Sequence, residues 1–325
     1  MHPLIQQHWR RAAFEAALVA AVLVALFAVL LAPSPDGGSA GSFFWTADNA
    51  RFVAIEALSV SLGALGMALV LLVGGIDLSA GGCAVLAGVV AAALLGRGTP
   101  VFPALGCALL AGGALGALNG TLVGFARTAA APWLITLGTF GIARGAAHWI
   151  AGEDTADIPL AASNTLRGLN LAPGLLLVAL LTAGLAVLLR VTVFGRHLRA
   201  IGSNEEAARL CGVRVRLTKG LVYTAAGCLF ALAGLAGMAV AGHGSTRAAL
   251  GLEIAYVAAA LWGGLRLGGG SGGVCGAFIG ALGVTALMNA VQQAGWPVPL
   301  QEIAMGGLLI AAVGIDRLRQ RPTCP

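Results

Sequence analysis

The sequence predicts an all-α polytopic membrane protein of about ten transmembrane helices, some of them broken or short, forming a single transmembrane domain over residues 1–325. Three observations carry this. Hydrophobic residues make up 58% of the chain and charged residues only 10%, with a mean hydropathy of +0.92. That is more apolar surface than a soluble chain of this length can hide, and it recurs in runs near the twenty residues that span a bilayer core. The 49 glycines fit a bundle in which small residues bring helix backbones together.

The apolar runs place spans at 12–32, 53–73, 80–95, 102–124, 133–150, 171–189, 220–241, 254–265, 273–293 and 301–315. The runs at 80–95 and 254–265 are short and glycine-bearing, as expected of broken or half helices. The first run, Ala12 to Ala32, is long enough to stay in the membrane and has no clear small-residue cleavage site, so no cleavable signal peptide is expected.

Charge sets the orientation. With both termini in the cytoplasm, fourteen of the nineteen Lys and Arg fall on cytoplasmic segments and four (Arg51, Arg97, Arg167 and Arg247) on outer ones, while Arg144 lies within a span. This is the positive-inside asymmetry, and it accounts for the net charge of +6 without a nucleic-acid partner. The outer segment 33–50 carries Phe43, Phe44 and Trp45, suited to anchoring at the membrane boundary. The outer segment 151–170 carries Glu153, Asp154 and Asp157.

The longest polar interval is the cytoplasmic loop 190–219, with seven of the nineteen basic residues. Within it, Ser203-Asn204-Glu205-Glu206-Ala207-Ala208-Arg209-Leu210-Cys211-Gly212 reads as a helix of about two turns. Ser203 and Glu206 have the S-x-x-E spacing of a capping box. Glu205 and Glu206 suit the positive end of the helix dipole and Arg209 the negative end, and Gly212 suits a left-handed terminus. A loop that only joined two spans would not need such a helix.

Two glycine-rich breaks interrupt the apolar pattern, Gly74-Gly75-Ile76-Asp77-Leu78-Ser79-Ala80-Gly81-Gly82 and Gly263 to Gly273. In the first, Asp77 is placed to cap the following half helix, and the backbone there either makes a tight turn or lines a pathway. Asn119, Thr136, Thr139, Arg144, His148, Asn289, Gln292 and Gln293 are polar residues inside spans, facing the bundle interior or bonding one helix to another. Gly74, Gly75, Asp77, Ser79, Asn119, Thr136, Thr139 and Asn289 are the candidate pathway or hinge residues. Arg144 is expected to snorkel outward or to pair with Glu153 or Asp154.

Catalytic signatures are missing. There is no H-E-x-x-H, and the six cysteines are scattered, without C-x-x-C, as buried thiols. The only lysine, Lys219, follows Thr218 rather than a glycine, so the chain has no P-loop. Any ATP that drives it must be bound by another chain, and no cofactor or metal site is expected.

The segments GGIDLSAGG at 74–82, PWLITLGTFGIARG at 132–145, GRHLRAIGSNEEAARLCGV at 195–213 and the run from Gly251 through WGGLRLGGGSGGVCGAFIGAL to 282 resemble, in order and spacing, the permease subunits of bacterial ABC importers for monosaccharides of the ribose, xylose and galactose type. The resemblance covers most of the chain from about 43 to 315. It implies a ten-span, multi-pass protein of the bacterial inner membrane, working as a pair of permease chains. Cytoplasmic ABC ATPase subunits would dock on the loop after the sixth span, and an extracytoplasmic sugar-binding protein would deliver the substrate. Under this resemblance Ser203–Gly212 is the ATPase-coupling helix, with Ala207, Ala208 and Leu210 as its contact face and Glu205, Glu206 and Arg209 as polar edges. Arg266 departs from the family pattern, in which an uncharged residue is common. The competing expectations are an ABC permease for another small solute such as a branched-chain amino acid, an ion-coupled secondary transporter, and an intramembrane enzyme for which no catalytic pair is visible.

Overall fold

The computed structural model describes residues 44–126, 131–152, 155–168, 171–247 and 251–320. The first predicted span, 12–32, lies outside the described residues, as do Phe43, Arg127, Glu153 and Asp154. Twelve helices are described: α1 (Ala47–Leu72), α2 (Ala80–Gly96), α3 (Val101–Phe125), α4 (Ala131–Ala151), α5 (Leu160–Gly168), α6 (Ala172–Val191), α7 (Val193–Ser203), α8 (Glu205–Leu210), α9 (Val215–Ala241), α10 (Leu252–Trp262), α11 (Val274–Gln293) and α12 (Val298–Gln320). Each predicted span within the described residues coincides with one of them.

Six of these helices are long and apolar enough to cross a membrane: α1, α3, α6, α9, α11 and the segment Pro299–Asp316 of α12. The 21-residue α4 carries Arg144 and His148. The 17 residues of α2 and 11 of α10 extend only about 25 and 16 Å at 1.5 Å per residue, short of a hydrocarbon core about 30 Å thick.

The all-α expectation needs one correction. β1 (Thr155–Asp157) pairs antiparallel with β2 (His243–Ser245), Thr155 opposite Ser245 and Asp157 opposite His243. The strands lie against α2, where Gly244 sits so close to Gly88 and Ala92 that a side chain there would collide with both.

At the centre stands α9, packed on α3, α1 and α2. Gly112, Gly116 and Gly120 recur every fourth residue along α3 and meet Gly220, Tyr223 and Gly227 of α9 backbone to backbone. A Cβ on Gly116 would run into the Tyr223 carbonyl oxygen, one on Gly227 into the Gly112 carbonyl, and one on Gly234 into the Ala84 carbonyl of α2. In a membrane, where apolar burial between helices gains little over lipid, such close contact supplies the association energy. Tyr223, Tyr256 and Phe230 are the largest fully buried side chains, and the Phe230 and Tyr256 rings stack 6.1 Å apart.

Glycines of this bundle therefore fall into two classes. Gly227→Val, inserted into the α9–α3 contact, is expected to destabilise the detergent-solubilised protein by about 1–3 kcal/mol or more. Gly141→Ala on α4, where nothing lies within 4 Å of the added methyl, is expected to leave stability unchanged or raise it by up to about 1 kcal/mol. Thermal unfolding followed by size-exclusion chromatography separates the two.

Candidate functional site

Three turns end at one face of the bundle with the same backbone chemistry. After α1, the Gly74 N–H bonds the Leu71 carbonyl and the Gly75 N–H bonds the Val70 carbonyl. After α10, Gly264 and Leu265 do the same to Leu261 and Ala260. After α8, Gly212 and Val213 bond Arg209 and Ala208. Each is a Schellman ending, and the left-handed residue it requires is a glycine every time, with φ of 77°, 89° and 83°. The two glycine-rich breaks thus resemble each other because each ends a helix in the same way.

These breaks also touch. The Gly270 N–H donates to the Leu72 carbonyl at 3.1 Å, tying the 263–273 turn to the end of α1. Gly202, in the last turn of α7, is wedged between them, where a Cβ would collide with the Leu72 carbonyl and the Gly270 nitrogen. A Cβ on Gly269 would approach Gly74 to 2.7 Å, and one on Gly270 would strike the Ser203 hydroxyl. From α12, the buried Asp316 accepts the Leu267 N–H at 3.2 Å and braces the same turn.

Just inside this knot lies a buried polar cluster. Asp77 Oδ1 accepts from the Ser79 N–H at 2.8 Å and the Ser79 hydroxyl at 2.5 Å, and Asn119 Nδ2 of α3 donates to Ser79 Oγ at 2.8 Å. Thr136 of α4 receives the Leu78 N–H at 3.1 Å and donates to its own helix at the Pro132 carbonyl, 2.9 Å away. Asp77, Ser79, Asn119 and Thr136 are all fully buried, and the Tyr223 hydroxyl abuts Gly75. Asp77 is not the N-cap of α2: the residue before the helix is Ser79, which makes no side-chain cap bond, and the carboxylate holds the preceding turn through Ser79 instead.

The other candidate residues are not gathered there. Thr139 bonds within α4, to the Ile135 and Thr136 carbonyls. Asn289 lies at the opposite end of the bundle. Its Oδ1 accepts from Asn49 Nδ2 at 2.9 Å, while Gln293 Nε2 donates to Asn49 Oδ1 at 3.2 Å, joining α11 to α1. Arg144 lies 5.5 Å over the Phe140 ring and within electrostatic range of Glu253.

The 190–219 segment holds two helices rather than one. The extra one, α7, starts at a Thr192 cap and buries Gly195, Leu198 and Ile201, spaced three apart on one face; that spacing was readable among the basic residues. Because α7 stays helical through Ser203, the first extended residue is Asn204, at φ −161° and ψ 103°. Its Oδ1 accepts the Ala207 N–H at 3.0 Å, so Asn204, not Ser203, caps α8, and the expected Ser203–Glu206 box does not form. The shift makes Glu205 the first residue of α8. Its carboxylate takes Lys219 Nζ at 2.7 Å and Arg209 at 3.0 Å. Glu206 stands 3.8 Å from Arg209. Ala208 turns into the chain's own core beside Val213, leaving Ala207 and Leu210, the latter 81% exposed, on the outer face.

The buried cluster is expected to discriminate between two changes at one position. Asp77→Ala leaves the Ser79 donors without an acceptor and should cost about 1–3 kcal/mol, whereas Asp77→Asn keeps an acceptor oxygen and should cost less than half as much. Thermal unfolding of both variants measures the difference.

Comparison with known proteins locates the chain. It is 32% identical over 307 residues to the D-allose transport system permease protein AlsC of Escherichia coli K12, covering 92% of this chain and 90% of that one. It is 31% identical over 306 residues to the ribose import permease protein RbsC of the same strain, covering 92% of each. It is 35% identical over 303 residues to the autoinducer 2 import system permease protein LsrC of Klebsiella pneumoniae, covering 92% of this chain and 85% of that one. No solved structure matches. Residues 49–313 match the family model described as "Branched-chain amino acid transport system / permease component", and with the breaks at 74–82 and 263–273 and the helix at 205–210 all inside that match, the chain belongs to this family of membrane transport permeases.

Proposed function

We propose that the chain is the translocation subunit of an ATP-driven ABC importer for a monosaccharide or a similarly hydroxylated solute. It has ten spans, both termini in the cytoplasm, and α8 as the helix through which a separate ATPase chain drives it. An extracytoplasmic binding protein delivers the solute, and a second permease chain completes the pathway. The observation that carries this is α8 itself. It is capped at both ends, pinned to the start of α9 by the Glu205–Lys219 ion pair, and presents Ala207 and Leu210 outward. A short rigid helix with an exposed apolar tip fits a groove on a partner.

The connection from α8 to the bundle is short. Asn204 joins α8 to α7, Gly202 of α7 is lodged between the 73–79 and 263–273 turns, and the first of these carries Asp77. A push on α8 is delivered to two turns at once, as rigid-body switching requires. The named solutes of the allose, ribose and autoinducer 2 relatives favour a hydroxylated substrate. The description of the family model favours a second reading, a branched-chain amino acid; uptake of D-ribose and D-allose against L-leucine by the reconstituted importer decides between them.

Leu210→Asp changes an exposed side chain and should leave folding stability within about 0.5 kcal/mol. It is expected to weaken co-purification of the ATPase by about tenfold or more and to abolish ATP-dependent uptake. Glu205→Ala, which frees Lys219, should uncouple hydrolysis from uptake. ATP-independent, gradient-driven uptake that survives both changes would overturn the proposal in favour of a secondary transporter.

A further inference from the structure

Positive charge without a counter-ion collects at the corner where α6 meets α7. The chain turns there over one residue, Thr192, between Val191 and Val193. Gly195 packs so closely on the end of α6 that a Cβ there would collide with the Leu189 carbonyl. The tight turn brings two arginines of α7 back onto α6. Arg199 Nη1 donates to the Leu189 carbonyl at 3.1 Å, and Arg196 Nη1 donates to the Val191 carbonyl at 3.4 Å. Those two carbonyls flank Arg190, in the last turn of α6. Three arginines are thus gathered at one helix end.

The last carbonyls and the dipole of α6 favour cations, and that explains part of the cluster. It leaves much unexplained. A guanidinium has five N–H donors, and each of these two bonds occupies one. The Arg190 side chain makes no hydrogen bond, and none of the three arginines is in an ion pair among the described residues. No aspartate or glutamate occurs between Asp157 and Glu205, while Glu205 and Glu206 are engaged by Lys219 and Arg209.

The surroundings of the corner select the anion. Arg190 stands at the end of an apolar span, at the depth where phospholipid headgroups lie. Val191 and Val193, beside the arginines, are 69% and 54% exposed, which suits the boundary between headgroups and acyl chains and not a water-soluble anion. Leu176, Leu180, Gly184 and Val187 are exposed on the same side of α6 as Arg190, and Gly184 has open space where a side chain would stand. Basic clusters just outside a span attract anionic lipid, and a guanidinium matches a phosphate with two parallel hydrogen bonds.

We infer that the α6–α7 corner binds an anionic phospholipid, its phosphate held by Arg190, Arg196 and Arg199 and an acyl chain lying along the Leu176, Leu180 and Val187 face of α6. The lipid seats α7, whose far end carries Gly202 between the 73–79 and 263–273 turns. The site does not depend on which solute is carried.

Native mass spectrometry of the purified permease, titrated with phosphatidylglycerol or phosphatidylcholine, tests the site. The wild-type protein should retain phosphatidylglycerol in preference to phosphatidylcholine. Arg190→Gln and Arg196→Gln should each lower the affinity for phosphatidylglycerol about fivefold, the effect of one basic residue near an anionic surface. Arg97→Gln removes an exposed arginine at the opposite end of the bundle and should leave that affinity unchanged. Arg190→Gln breaks no hydrogen bond, so it reads the site even where Arg196→Gln fails to fold. Equal retention of the two lipids by the wild-type protein, or an equal loss in Arg97→Gln, overturns the site. Displacement of phosphatidylglycerol by inorganic phosphate assigns the corner to a soluble anion and overturns the lipid. Loss of ATPase co-purification by Arg190→Gln with its lipid preference intact assigns the corner to that partner and overturns it as well.

Discussion

The hydrogen bond from the Gly270 N–H to the Leu72 carbonyl fastens the turn between α10 and α11 to the end of α1. The contact is made by backbone alone, and Gly202 fills the remaining space so closely that no side chain fits. Interdigitating side chains can slide or exchange rotamers; backbone in contact with backbone moves as one body. The α8 end of the bundle is therefore stiff where force would enter it. The polar cluster around Asp77 hangs from that stiff element, with Asn119 and Thr136 linking it to α3 and α4.

Much of the fold was legible in the chain, because a membrane converts hydropathy directly into element length. The runs at 53–73, 102–124 and 220–241 had to be helices, since no other local structure satisfies the backbone in lipid. The short runs at 80–95 and 254–265 were legible for the same reason, as the short or half helices that α2 and α10 are. The β1–β2 pair was not, because three-residue strands far apart in sequence carry no periodic signal, and their pairing is decided by how α2 and α9 bring them together. The cap of α8 was misplaced by one residue for a related reason: both Ser203 and Asn204 are good caps, and only the length of α7 decides which leaves the helix first.

Residue types at the candidate site were legible, but their neighbours were not. Asp77, Ser79, Asn119 and Thr136 stand out as polar groups in apolar runs and do meet. Asn289 stands out for the same reason and sits at the other end, with Asn49 and Gln293. Polarity inside a span indicates that a partner exists without saying which. Glu253 and Asp316 went unremarked because each lies next to a helix end, where a carboxylate is unremarkable until its surroundings are known. In the sequence Lys219 shows only that no P-loop is present; its 2.7 Å contact with Glu205, which fastens α8, depends on the fold.

That contact has a chemical consequence. Lys219 is the only lysine in the chain, it is 8% exposed, and it lies under a carboxylate. The protein thus presents one side-chain amine, and α8 covers it. Acylating reagents need a free and deprotonated amine, so the Glu205 contact shields that nitrogen while α8 is seated, and its reactivity reports on the seating of α8.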